Sequence, residues 1–179
     1  MTYAKSKLSV KAQALYTLGS IVAAVALPQI FHVMGAVSGI GALGETFLPM
    51  HLPIILVGLL AGPYAGAVSG FLAPLISFGL TGMPAAAMLP FMMLELLVYG
   101  LSAGLLRSKK MPAIAKVLIT QAVGRGVRAI AILMSFYLLG NTAVPVAIIW
   151  NSIAAGIFGL ALQWVLIPLV IYRAENKNA

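Results

Sequence analysis

Six stretches of this chain are apolar almost throughout, and glycine, proline or charge breaks the pattern between them. They fall at about residues 12–32, 48–62, 64–80, 85–106, 113–139 and 146–172. A helix needs about 20 apolar residues to cross a hydrocarbon core roughly 30 Å thick, so the pattern predicts a bundle of transmembrane helices. The second and third runs are short and joined by AGPYAG, in which Gly62 and Pro63 predict a tight turn.

Composition takes the same side. Of 179 residues 62% are hydrophobic and 8% charged, and the mean hydropathy of +1.08 lies far above that of a soluble domain. The expectation is an all-α integral membrane protein, with residues 1–179 forming a single six-helix domain. The absence of Cys excludes a disulfide framework and a thiolate metal site. The start, MTYAKSKLSVK, is basic, but no small-residue cleavage site follows it, so the first helix is read as retained.

Charge adds orientation. Eleven Lys and Arg against three acids give a net charge of +8, which in a soluble protein would raise the question of nucleic acid. Here the basic residues cluster at the ends of apolar runs: Lys5, Lys7 and Lys11 before the first, Arg107, Lys109, Lys110 and Lys116 after the fourth, Arg173 and Lys177 after the last. By the positive-inside rule these regions face the cytoplasm. The connections at about 33–47, 81–84 and 140–145 carry no Lys or Arg and face out. Six spans with both termini cytoplasmic satisfy every sign, whereas five would put the ends on opposite sides.

The first outer connection contains GIGALG, which matches the letters of the dinucleotide fingerprint G-x-G-x-x-G through Gly39, Gly41 and Gly44. That motif works only between a strand and a helix of a βαβ unit, and neither is predicted here. The segment reads either as a flexible loop that folds over a pocket or as a plain linker.

Three ionisable residues fall inside the spans: Glu95, Arg125 and Arg128. Each costs at least ~2.5–3.5 kcal/mol in hydrocarbon, so each is expected to face the interior and pair or bind something. At ~1.5 Å per residue Glu95 lies about 16 Å below the outer surface, with Arg125 about 18 Å and Arg128 about 23 Å above the inner one. That depth pairs Glu95 with Arg125 and leaves Arg128 free for an anionic or strongly polar ligand. An ion pair that only fixes helix register explains Glu95 and Arg125 equally well. Gln121, Arg125 and Arg128 share one face, flanked by Gly124 and Gly126; Met88, Met92, Glu95 and Tyr99 form a facing column; Trp150 and Asn151 stand near the outer end of the sixth span.

His32 and His51 sit near the outer interface, where a polar side chain is cheap, and with only three acids in the chain they make no convincing metal site. The methionines of AAAMLPFMMLELL are packing residues or a flexible pocket wall. No G-x-S-x-G, H-E-x-x-H or G-x-x-x-x-G-K-[ST] motif occurs, so the chain is expected to be no enzyme and to need no cofactor, with energy for any transport coming from a gradient or a partner.

The stretch FLPMHLPIILVGLLAGPYAGAVSGFLAPLISFGLTGMP, followed by MLELLVYGLSAGLL and AVGRGVRAI, resembles the substrate-binding S components of energy-coupling factor (ECF) vitamin transporters. The resemblance runs from about residue 14 to 139. It implies a subunit of the bacterial plasma membrane that captures a water-soluble vitamin or precursor from outside. It also implies docking on a transmembrane coupling subunit and two ATPase subunits, with no role for nucleic acid. In such proteins small residues at four-residue spacing on the first helix form the docking face; the matching positions are Gly19 and Ala23, beside Ser20 and Ala24. A compact ligand would use Arg128, Arg125, Glu95, Tyr99, Asn151, Trp150 and His51. Pantothenate would place its carboxylate on an arginine, whereas a hydroxymethylpyrimidine or pyridoxine-type ring would bond Glu95 and Asn151 and stack on Trp150 or Tyr99. A self-sufficient secondary transporter or channel is the competing reading, although no repeat between the two halves supports it.

Overall fold

The computed structural model describes residues 8–39 and 46–176, and these form seven helices: α1 (Val10–Ser38), α2 (His51–Ala61), α3 (Pro63–Thr81), α4 (Leu89–Leu106), α5 (Ala113–Tyr137), α6 (Ile148–Ala155) and α7 (Ile157–Asn176). Lys5, Lys7, Lys177 and most of the GIGALG run lie outside the described residues. Five helices, α1, α3, α4, α5 and α7, are long and apolar enough to cross a membrane. Large apolar side chains such as Val22, Phe71, Leu105 and Val165 point outward, as lipid requires. The chain is an α-helical, multi-pass membrane protein.

Three boundaries differ from the expectation, each for a local reason. The first helix continues six residues beyond 32 because nothing in VMGAVS breaks it until Gly39 turns into the left-handed region at φ 69°. The fourth begins at Leu89 instead of 85, since the chain leaves the preceding helix through the Gly82 cap at φ 72° and makes a turn over residues 86–88 before the helix starts. The last run is divided at Gly156 into α6 and α7. The break between α2 and α3 falls where AGPYAG placed it: Gly62 adopts φ 109° and Pro63 opens the next helix.

With eleven residues, α2 spans only about 16 Å. It is apolar all round and packs against α1, α3, α4 and α7, so it is the axis of the core. Ile54, Ile55 and Leu59 meet Leu96, Tyr99, Val117 and Ile167 around it. Chain preceding α2 is also buried in the bundle: Met50 is in the core, and the Leu48 carbonyl accepts a hydrogen bond from Gln163 Nε2 at 3.4 Å.

The closest packing lies between α3 and α4. A Cβ added to Gly66 would strike the Gly100 backbone, one on Gly100 would strike Gly66, and Gly70 and Gly104 meet Leu96 and Pro63 in the same way. These small residues let the two backbones touch, which is how helices associate without a hydrophobic driving force between them. The consequence is a firm α2–α3–α4 unit, on which one wall of an internal cavity is built.

Candidate functional site

The cavity has a volume of about 410 Å³, within the roughly 300–1,000 Å³ of small-molecule sites. It opens at the end of the molecule whose described connections carry no Lys or Arg. Gln29 and His32 of α1, His51 of α2, Ser77 of α3 and Glu95 of α4 face it from one side, and Arg128 of α5 with Asn151 and Ser152 of α6 from the other. Its remaining wall is apolar, from Pro28, Leu48, Met83, Pro84, Met88, Met92, Ile148 and Ala155.

Glu95 is fully buried at the floor, and three groups converge on its carboxylate. Arg128 Nη1 donates to Oε2 at 2.9 Å, the Tyr99 hydroxyl donates to Oε1 at 3.1 Å, and His51 Nε2 stands 3.9 Å from Oε1. The Tyr99 ring is tilted against the His51 ring at a centroid distance of 5.4 Å, and it fills the space that the missing side chain of Gly124 leaves on α5. Below this group the buried Gln121 and Gln163 and the more exposed Trp164 form a hydrogen-bonded chain: Trp164 Nε1 donates to Gln121 Oε1 at 2.7 Å and Gln121 Nε2 donates to Gln163 Oε1 at 2.9 Å. That chain ends on the Leu48 carbonyl and ties the segment entering α2 to α5 and α7.

The pairing of charges corrects the depth count. Arg128, not Arg125, bonds Glu95, and Arg125 is the cation left over. Axial position of the Cα atoms is a poor guide here because helical side chains lean toward their own N-terminus. On the ascending α5 this lowers the Arg128 guanidinium by about a turn, and on the descending α4 it raises the Glu95 carboxylate. The later start of α4 moves Glu95 in the same direction.

Of the other residues singled out in the sequence, Asn151 and His51 line the cavity, and Tyr99 supports it from behind through Glu95. Trp150 is 72% exposed on the outside of α6 and does not line the cavity, because adjacent helical positions differ by about 100°. Gln29, Ser77 and Gln163 escaped notice. An uncharged polar group in an apolar span carries the same signal as a charged one, only weaker, and that signal would have found them.

On α1, Ser20 and Ala24 are turned into the bundle, where the Ser20 hydroxyl donates to the Pro53 carbonyl at 3.1 Å. Gly19 is exposed and Ala23 half-buried. Gly19 lies in an apolar groove between α1 and α2 of about 490 Å³, with Leu15, Tyr16, Leu56 and Leu60 along its sides. Among the described residues no group of His and acidic side chains is arranged to hold a metal ion.

The described residues thus form a multi-pass helical membrane protein with a cavity of small-molecule size among its apolar helices. Residues 13–171 match the family model of the ECF transporter, substrate-specific component, and the chain belongs to that family. It is thus a substrate-specific subunit of an ECF transporter. No curated protein and no solved structure matches the chain significantly.

Proposed function

We propose that this subunit captures a water-soluble vitamin or vitamin precursor from outside the bacterial plasma membrane and hands it to a partner module. The observation that carries this reading is the cavity itself, small-molecule in size and open at the end free of basic residues, with a buried cluster of Glu95, Arg128, Tyr99 and His51 at its floor. Under this reading the cavity end faces out and the basic connections face the cytoplasm. The chain is one membrane domain of six passages with both termini inside, and α2 together with the buried segment before it counts as one passage. Its ligand is pantothenate or a hydroxymethylpyrimidine or pyridoxine-type precursor. Glu95 and Arg128 shape the floor, while His51 and Asn151 contact the ligand.

Transport energy comes from a transmembrane coupling subunit and two ATPase subunits. The docking face on α1 centres on Gly19, which is exposed, with the half-buried Ala23 and with Ser20, which borders the same groove; Ala24 is buried in the bundle. Affinity isolation of the tagged chain from its native membrane tests the reading. Recovery with a coupling subunit and ATPases is the expected result, and solute uptake into liposomes by this chain alone without ATP would replace it by a self-sufficient transporter.

A further inference from the structure

We propose that the groove between α1 and α2 holds one acyl chain of an anionic phospholipid, and that Arg107, with Lys11 beside it, binds the phosphate of that lipid.

The groove lies toward the basic end of the molecule, away from the cavity mouth. Leu8, just ahead of α1, packs on Val57, Ala61 and Ala65, and the Ser20 hydroxyl bonds the Pro53 carbonyl, so α1 and α2 run antiparallel and the groove extends from Ala12 and Leu60 inward to Gly19. From Ala12 to Ser20 is about 12 Å, less than half of a hydrocarbon core roughly 30 Å thick, which confines the groove to one leaflet. Leu15 is 70% exposed on its edge, and nothing lies within 4 Å of the place a side chain on Gly19 would take, so the channel is open to lipid. With Ser20 already bonded, the Tyr16 hydroxyl is the other polar side-chain group on its walls.

Arg107 stands at the mouth of this groove. It follows the last residue of α4, its Nη1 lies 3.8 Å from the position of a Cβ on Gly62, close after Leu60 in the chain, and it interacts electrostatically with Tyr16. A long basic side chain at a helix end ordinarily keeps its charged head in water. Arg107 instead has a buried Nε with no hydrogen-bond partner, and among the described residues it makes no ion pair. Among the described side chains the one carboxylate is Glu95, about 18 Å back along α4. Lys11 is exposed one turn before Leu15, on the same side of α1. Two cations without an acid, beside an apolar channel, match a headgroup phosphate above its acyl chain, as in other basic pockets between transmembrane helices. A free anion would use Arg107 and leave the groove empty, whereas a zwitterionic lipid would bring its own cation against Arg107 and Lys11. A coupling subunit that docks at Gly19 then meets an occupied groove and displaces the chain; the lipid site itself does not rest on that docking.

Native mass spectrometry of the full chain released from detergent tests the site, with phosphatidylglycerol, phosphatidylcholine of the same acyl chains and inorganic phosphate as probes. At about a factor of five per cation, the anionic lipid is expected to be held at least about fivefold more tightly than the zwitterionic one, with no retention of phosphate. Arg107→Gln should remove most of that preference and Lys11→Gln a smaller part, while Gly19→Phe should weaken both lipids alike by taking the place of the chain. Equal retention of the two lipids overturns the inference, as does phosphate bound as well as the lipid, or an anionic preference that survives Arg107→Gln and Lys11→Gln together. Should Arg107→Gln not fold, Lys11→Gln and Gly19→Phe decide, because both positions are exposed, and unchanged lipid retention in both overturns the inference. Vitamin capture by the cavity stands under each of these outcomes.

Discussion

Along the α3–α4 seam Gly66 and Gly100 press backbone on backbone, whereas the cavity lining holds buried nitrogen atoms of Gln29, His51 and Arg128 that have no hydrogen-bond partner. The seam has no side-chain atoms to spare and no polar debt, so its cohesion depends on shape. The cavity keeps unpartnered donors inside a membrane protein, an arrangement that lowers stability unless something fills it. The firm half is thus able to carry the costly half. His51 and Glu95 hang from the helices of the seam unit, while Arg128, Asn151 and Ser152 come from α5 and α6 across the cavity.

Enlarging the seam is the most damaging change expected. Gly100→Val puts two methyl groups where the Gly66 backbone lies, and because backbone cannot yield as a flexible side chain does, the loss should exceed about 3 kcal/mol. Fluorescence-detected size exclusion and melting in detergent read it directly; normal folding of this variant would show that the seam is not the firm half. Next, Glu95→Ala strands Arg128 and should cost about 3–5 kcal/mol, as when one partner of a buried ion pair is removed. Arg125→Ala removes a cation that makes no hydrogen bond or ion pair among the described residues, so the apoprotein is expected to melt at the same temperature or higher, opposite to what a bonded arginine would do.

Smaller effects sharpen the boundary between the halves. Gln163→Ala releases the Leu48 carbonyl and orphans Gln121, for an expected loss of about 1–3 kcal/mol. Leu48 holds φ 48°, a conformation that costs a non-glycine residue ~1–2 kcal/mol, so the segment is also expected to exchange its amides faster in this variant. Trp150→Ala should change stability by no more than about 0.5 kcal/mol and leave ligand binding intact, because its ring lies outside the cavity. A clear drop in affinity there would mean that α6 turns on binding.

Much of the fold was readable along the chain because its signals are local. Pro112 and Ala113 start α5 where the apolar run begins, and Gly62–Pro63 end one helix and open the next by conformational preference alone. The end of α1 was read too early because length sufficient for a bilayer does not stop a helix; only Gly39 does. At the candidate site, Glu95 and the two arginines were conspicuous by charge. The choice of partner was not, since it depends on how far side chains lean along two antiparallel helices. Gln29 and Gln163 carry no charge and so give a weak signal in an apolar span, and Trp150 and Asn151, though neighbours in sequence, face different ways on one helix.

Residence in the membrane, the positions of the helices and the confinement of three ionised groups to the interior all followed from apolar length and from the cost of burying charge, properties of short segments that need no knowledge of the rest. Which arginine meets Glu95, which residues surround the cavity and how the chain before α2 is seated depend on helix phase, side-chain direction and the glycine-limited distance between helices. Those quantities involve partners far apart in sequence, such as Glu95 with Arg128 or Leu48 with Gln163, and they took values only when the helices packed.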